Sequence, residues 1–177
     1  MVRALAVLAA VLAVPAAAAA QESKSADLVK QLGQLLDEKK LDAIAAVDAA
    51  TPDTFVAALY FPGTQLLAVS AKYSAPQLLN EKLAKKDYRD IYVDLSSASV
   101  VGSKVFVMDT FADGLVAKPK SDSPADSVER GTTSISFDGD FKKAKLSEAD
   151  YAKSFDQCDS AYVKILQTLI AKLKSGT

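Results

Sequence analysis

Residues 55–73 read FVAALYFPGTQLLAVSAKY, and their reading decides the fold. Phe55–Phe61 is an unbroken apolar run rich in aromatic and branched residues. That predicts a strand buried on both faces. Proline and glycine then fill the second and third positions of Phe61-Pro62-Gly63-Thr64, the residue preference of a type II turn. Gln65–Tyr73 predicts a second strand. Leu67, Val69, Ala71 and Tyr73 fall on one side, and Leu66, Ala68, Ser70 and Lys72 on the other. Two strands joined by a tight turn make an antiparallel hairpin.

Downstream, Ser74 and Gln77 have capping-box spacing, and Tyr73 and Leu78 match a hydrophobic staple. Pro76 falls in the first turn, where its missing N–H is harmless. These signals predict a helix from Ala75 to about Lys86, with lysines 82, 85 and 86 on its solvated side. Asp90–Ser96 alternates, with Ile91, Val93 and Leu95 inward. Ser103–Phe111 is a further strand. Ala112–Arg130 is polar and carries glycine and prolines, which predicts a long surface loop with no core role. Thr132–Phe137 is a strand with Ile135 and Phe137 on one side. Asp138-Gly139 fits a type I′ hairpin turn leading to a short strand near Phe141. Ser147 with Asp150 opens a last helix reaching about Lys174. Its apolar face holds Tyr151, Phe155, Cys158, Tyr162, Ile165, Leu166, Leu169, Ile170 and Leu173, and Gly176 fits the position just past its end.

Upstream, Leu28, Val29, Leu32, Leu35 and Leu36 mark one face of a helix from Ser25 to Glu38, with Ser25 as N-cap. Leu41–Asp48 is open between helix and strand, and residues 49–53, AATPD, read as a turn. The first twenty residues have the layout of a secretory signal peptide. Arg3 precedes the apolar run Ala4–Val14, Pro15 breaks it, and small residues lead to a cut before Gln21. Without that segment, residues 21–177 are expected to form a single domain of ordinary apolar content, about 45%. No later apolar run has the length of a membrane span.

The composition excludes several classes of chemistry. There is no histidine, so no Ser-His-Asp triad, imidazole acid/base or His-ligated zinc. The lone cysteine, Cys158, has no disulfide partner in the chain and falls in a helical apolar register, as a buried structural thiol does. Near-balanced charge, with 20 basic and 22 acidic residues after Ala20, argues against nucleic acid. Asp138 and Asp140 lack the rest of a calcium-loop pattern and read as a turn, and no metal ligand set is expected. Asp109 and Asp113 in DTFAD read as solvated carboxylates before an acid/base pair. Lys72, Tyr73 and Ser74 stand where a strand would enter a helix N-terminus, an arrangement that suits an anion.

Residues 42–96 resemble, in the order of their elements, the FMN-binding split barrel of the pyridoxamine 5′-phosphate oxidase-like superfamily. The resemblance implies that Leu41–Asp48 is a first barrel strand. It also implies an FMN phosphate beside Ser74, with Lys72 and Tyr73 near it, and a homodimer. Ala75 and Pro76 occupy the two positions where that family commonly carries basic residues. The fold expected is therefore α+β: a small, mostly antiparallel, split-barrel-like β-barrel. It would carry an N-terminal helix, a short helix after the central hairpin and a long C-terminal helix. The function expected is an exported, periplasmic small-ligand-binding or interaction domain without catalysis. The alternatives are an FMN-dependent oxidoreductase and a structural envelope protein acting through residues 112–130.

Overall fold

The computed structural model describes residues 23–44, 54–74, 78–79, 82–83, 87–119 and 123–176. The signal-peptide segment, the AATPD turn and the end of Leu41–Asp48 lie outside these residues. The fold is α+β. Helix α1 (Ala26–Glu38) comes first, and the long helix α2 (Glu148–Ser175) comes last. Between them lie β1 (Ala43–Ile44), β2 (Thr54–Phe61), β3 (Leu66–Tyr73), β4 (Leu78–Leu79), β5 (Lys82–Leu83), β6 (Tyr88–Leu95), β7 (Val105–Asp109), β8 (Asp126–Arg130) and β9 (Thr133–Phe137).

Seven strands form one antiparallel sheet in the order β1-β2-β3-β6-β7-β8-β9, and β4 and β5 pair only with each other. The central hairpin forms in the expected register, from Thr54 opposite Tyr73 to Phe61 opposite Leu66. Among the described residues β1 and β9 are not paired with each other, so the sheet is open.

Strand alternation decides which side chains meet the helices. Ala57, Leu66, Ala68, Ile91, Val93, Leu95, Val105, Val107, Val128 and Phe137 are buried on one face. Val29, Leu32 and Leu36 of α1 and the apolar stripe of α2 complete the same core. The nine α2 residues expected to face inward are all buried, Cys158 included. Burial of that apolar area, at about 25 cal/mol per Å², is the driving term. Ser147 caps α2 by accepting the Asp150 N–H, and Gly176 ends it in the left-handed conformation.

Several expectations are corrected. The stretch after the central hairpin holds no helix among its described residues; Leu78–Leu79 and Lys82–Leu83 are paired strands instead. Only Leu78, Leu79 and Leu83 are available as an apolar stripe there, too little to repay helix nucleation. With the helix goes the solvated helical side assigned to Lys82; positions 85 and 86 lie outside the described residues. Strand β2 is not buried on both faces, since Tyr60 is 59% exposed on the side away from the helices. The hairpin turn is not type II. The left-handed residue is Gln65 (φ 50°), and consecutive bonds run from Thr64 N to Phe61 O and from Gln65 N to Pro62 O.

Residues 112–130 are no featureless surface loop: Leu115, Asp126 and Val128 are buried, and the stretch ends in β8. Val128 is the one apolar inward residue of that strand, so its alternation is faint. Asp138-Gly139 makes no type I′ hairpin, and no strand follows. The Asp138 carboxylate accepts the Asp140 N–H, and Asp140 accepts from Lys142 and Lys143, which winds the chain into local turns. Ser25 precedes α1, but its hydroxyl accepts the Leu115 N–H (3.0 Å) instead of capping the helix.

Candidate functional site

Two neighbouring features at one end of the sheet concentrate the charged and aromatic side chains. The first is a cleft of about 530 Å³ between α1 and the Tyr73/Tyr88 end of the sheet. Lys72, Arg89, Asp37, Tyr88 and Phe111 are among the residues lining it. Arg89, only 10% exposed, forks both carboxylate oxygens of Asp42 (3.2 and 3.0 Å) and also bonds Asp37 (2.9 Å) and Ser70. Such a planar fork is what distinguishes arginine from lysine. Lys72 reaches Asp37 (3.1 Å) from the same side. Tyr73 stacks on Tyr88 at 4.8 Å between ring centres, and Tyr88 meets Phe111 edge-on at 5.2 Å. Burial pushes the Tyr88 hydroxyl up to about 12, with Asp90 adding to the shift, so it is a neutral donor.

The second feature is a carboxylate cluster. Asp109 ends β7 and Asp126 opens β8, both on the helix face, and Asp113 returns toward them from the intervening loop. One oxygen from each carboxylate lies within 4.8 Å of the others. Asp126 accepts the Thr110 N–H (2.9 Å) and the Val116 N–H (2.8 Å). From the opposite face of the sheet, buried Asp90 accepts the Phe111 N–H (3.0 Å). Carboxylates from both faces thus clamp one loop, which carries left-handed φ angles at Phe111, Ala112 and Gly114. Asp109 is fully buried; its Oδ2 accepts from Tyr162 (3.0 Å), and its Oδ1 has no hydrogen-bond partner among the described residues. Burial drives Asp109 well above the usual carboxylate range. Asp126 adds to that, while the Tyr162 hydroxyl and the Gly114 N–H pull the other way. Burial also pushes Asp126 up to about 7 against the pull of its two N–H donors. Asp113 and Asp126 line a pocket of about 210 Å³, which gives the cluster access to solvent.

The residues predicted from the sequence are placed as follows. Lys72 lines the cleft. Tyr73 leaves the strand on the other face of the sheet and joins the aromatic trio. Ser74 is exposed at the end of β3, where no helix N-terminus is described. Lys72 and Tyr73 thus point to opposite faces of the sheet, and residues 75–77, which follow Ser74, lie outside the described residues. The Cys158 thiol is buried, and burial raises its pKa, as an inert structural cysteine requires. Asp109 is the opposite of a solvated carboxylate.

Sequence reasoning missed Arg89, Asp126 and Tyr162. For Asp126 a faint signal existed: it stands two residues before Val128, hence on the inward side of DSVER. Compared with known proteins, the chain matches no family model, no curated protein and no solved structure, so its own geometry carries the functional reading.

Proposed function

We propose that this protein is a small-ligand-binding domain without catalytic chemistry, exported to the periplasm, with its ligand in the cleft beside α1. One observation supports this reading above others. Tyr88 and Phe111 line the same opening as Lys72 and Arg89, with Tyr73 stacked on Tyr88. Apolar walls with a few fixed polar groups are the usual form of a small-molecule site. The ligand class this suits is a small molecule with a flat or apolar body and an acidic group. Export rests on the pattern of residues 1–20, and a split-barrel kinship rests on the hairpin rhythm alone.

The test is a thermal-shift screen of small aromatic and aliphatic acids, with FMN included and its fluorescence followed. Lys72→Ala is the informative variant. Its pairing with Asp37 is solvent-exposed and contributes little to stability, about 0–1 kcal/mol, so loss of binding is separable from unfolding. A ligand bound equally well by Lys72→Ala and Phe111→Ala overturns the placement. Quenching of FMN fluorescence supports the oxidoreductase alternative instead.

A second reading, an interaction domain, is favoured by the sheet face away from the helices, where Tyr60 is 59% and Phe106 37% exposed. A partner or second copy lost on Tyr60→Ser with Phe106→Ser, the cleft intact, would support it. The envelope reading through residues 112–130 is the least supported, because Leu115 and Asp126 make that stretch part of the fold.

A further inference from the structure

We propose that Asp109, Asp113 and Asp126 form a binding site for a hard divalent cation, calcium in the first instance. The donors are oxygens alone, with no imidazole and no thiolate, which selects calcium or magnesium over zinc or copper. Their mutual spread, within 4.8 Å, is about twice a Ca–O distance of about 2.4 Å. Oxygens this close can converge on one ion with modest side-chain adjustment, and magnesium, which demands near-ideal octahedral geometry and dehydrates reluctantly, suits the set less well.

The observation that turns an acidic cluster into a site is Asp109 Oδ1. It is a carboxylate oxygen in a fully buried side chain that meets no donor at hydrogen-bond distance and angle among the described residues, although the nearby Gly114 N–H also favours the charged carboxylate. Buried carboxylates are normally satisfied, because an unmet acceptor in a low-dielectric interior is costly. Neither Asp109 nor Asp126 has an ion-pair partner among the described lysines and arginines. The Tyr162 hydroxyl occupies the other oxygen of Asp109 and fixes the plane of its carboxylate. Each oxygen of Asp126 accepts one backbone N–H, which leaves a second lone pair on each for a cation. Asp113, exposed on the solvent side, supplies the outer ligand, and the adjoining pocket admits the waters that complete the shell.

Three carboxylates on a water-accessible site place the affinity near that of extracellular calcium modules, about 10⁻⁴–10⁻³ M. Calorimetric titration of the chelator-treated protein with calcium chloride should saturate in that range, and magnesium should bind more weakly. Terbium is expected to bind and to luminesce on tyrosine excitation, because Tyr162 touches Asp109. Calcium at about 10 mM should raise the melting temperature by about 3–6 °C. Asp113→Asn keeps the buried groups untouched, so it should fold normally and bind calcium at least about tenfold more weakly. Absence of a saturable calcium or terbium signal up to about 10 mM overturns the proposal. So does an unchanged affinity in Asp113→Asn.

Discussion

Tyr162 donates its hydroxyl to Asp109 Oδ2 at 3.0 Å within the interface of α2 and the sheet, and both side chains are fully out of solvent. Burial, and then the neighbouring Asp109, raises the tyrosine well above its ordinary range, so it remains a donor at any ordinary pH. The bond ties the middle of α2 to the end of β7.

Removing that donor isolates the carboxylate further. Tyr162→Phe is expected to destabilise the protein by about 1–3 kcal/mol at neutral pH, the penalty for an unmet buried acceptor. Comparing about pH 5 with neutral pH, the loss should be the smaller at the acid end, because a raised carboxyl takes up its proton more readily there and asks less of its surroundings. Urea denaturation at both pH values checks this. An equal loss at the two would mean that Asp109 keeps one charge state throughout.

The same carboxylates give stability a defined pH dependence. Asp109, Asp126 and Asp90 all have raised values in the folded protein, against 3.8 for the ordinary side chain. Between those values the folded state holds protons that the unfolded chain has released. Their contribution is therefore complete below about pH 4 and is lost as pH rises through about 7, the value for Asp126. The groups facing them keep the sign: Asp113 is acidic, and Tyr73, Tyr88, Tyr92 and Tyr162 are neutral. In chelator, the melting temperature should be higher at about pH 5 than at about pH 8, and a flat profile would refute the raised values.

Gly114 holds the clamped loop against the start of α1. Its φ of +83° suits glycine, and an added Cβ would lie 2.6 Å from the backbone nitrogen of Ala26 and from Ser23 Oγ. Gly114→Ala is expected to cost about 2–4 kcal/mol, through both the backbone conformation and the clash. Gly33, inside α1, is the contrasting case. Its Cβ would meet only Arg89 Nε, at an ordinary 3.8 Å. Gly33→Ala should therefore stabilise by about 0.5–1 kcal/mol through helix propensity. Thermal melts of the two variants should move in opposite directions.

The legible parts of the fold were those where local pattern and burial agree. Ile91, Val93 and Leu95 alternate in the sequence and are buried in the sheet, and Ser147 and Gly176 bound α2 where their chemistry places them. Capping signals at Ser74 and Gln77 misled because they describe how a helix would start. They do not say whether its apolar face finds anything to cover. The site was nearly illegible. Asp109 and Asp126 stand 17 positions apart in sequence and meet only because β7 and β8 are neighbours in the sheet. No spacing rule encodes that meeting.

Arg89 provides the most demanding test of the cleft's construction. Its guanidinium joins α1 through Asp37, the entry to β1 through Asp42 and the sheet through Ser70. Arg89 and Asp42 are each only 10% exposed, so truncating one strands the other's charge in a poorly solvated place. Arg89→Ala is expected to cost about 3–5 kcal/mol. Arg89→Lys keeps the charge but cannot fork both oxygens of Asp42, so it should lose about half as much. The double variant Arg89→Ala with Asp42→Asn should be more stable than Arg89→Ala alone, because the stranded carboxylate is gone. Urea melts of the three variants decide the matter. Equal losses for alanine and lysine would make side-chain packing, not the ion pair, the source of the effect; a double variant no better than Arg89→Ala would mean that Asp42 is solvated without its partner.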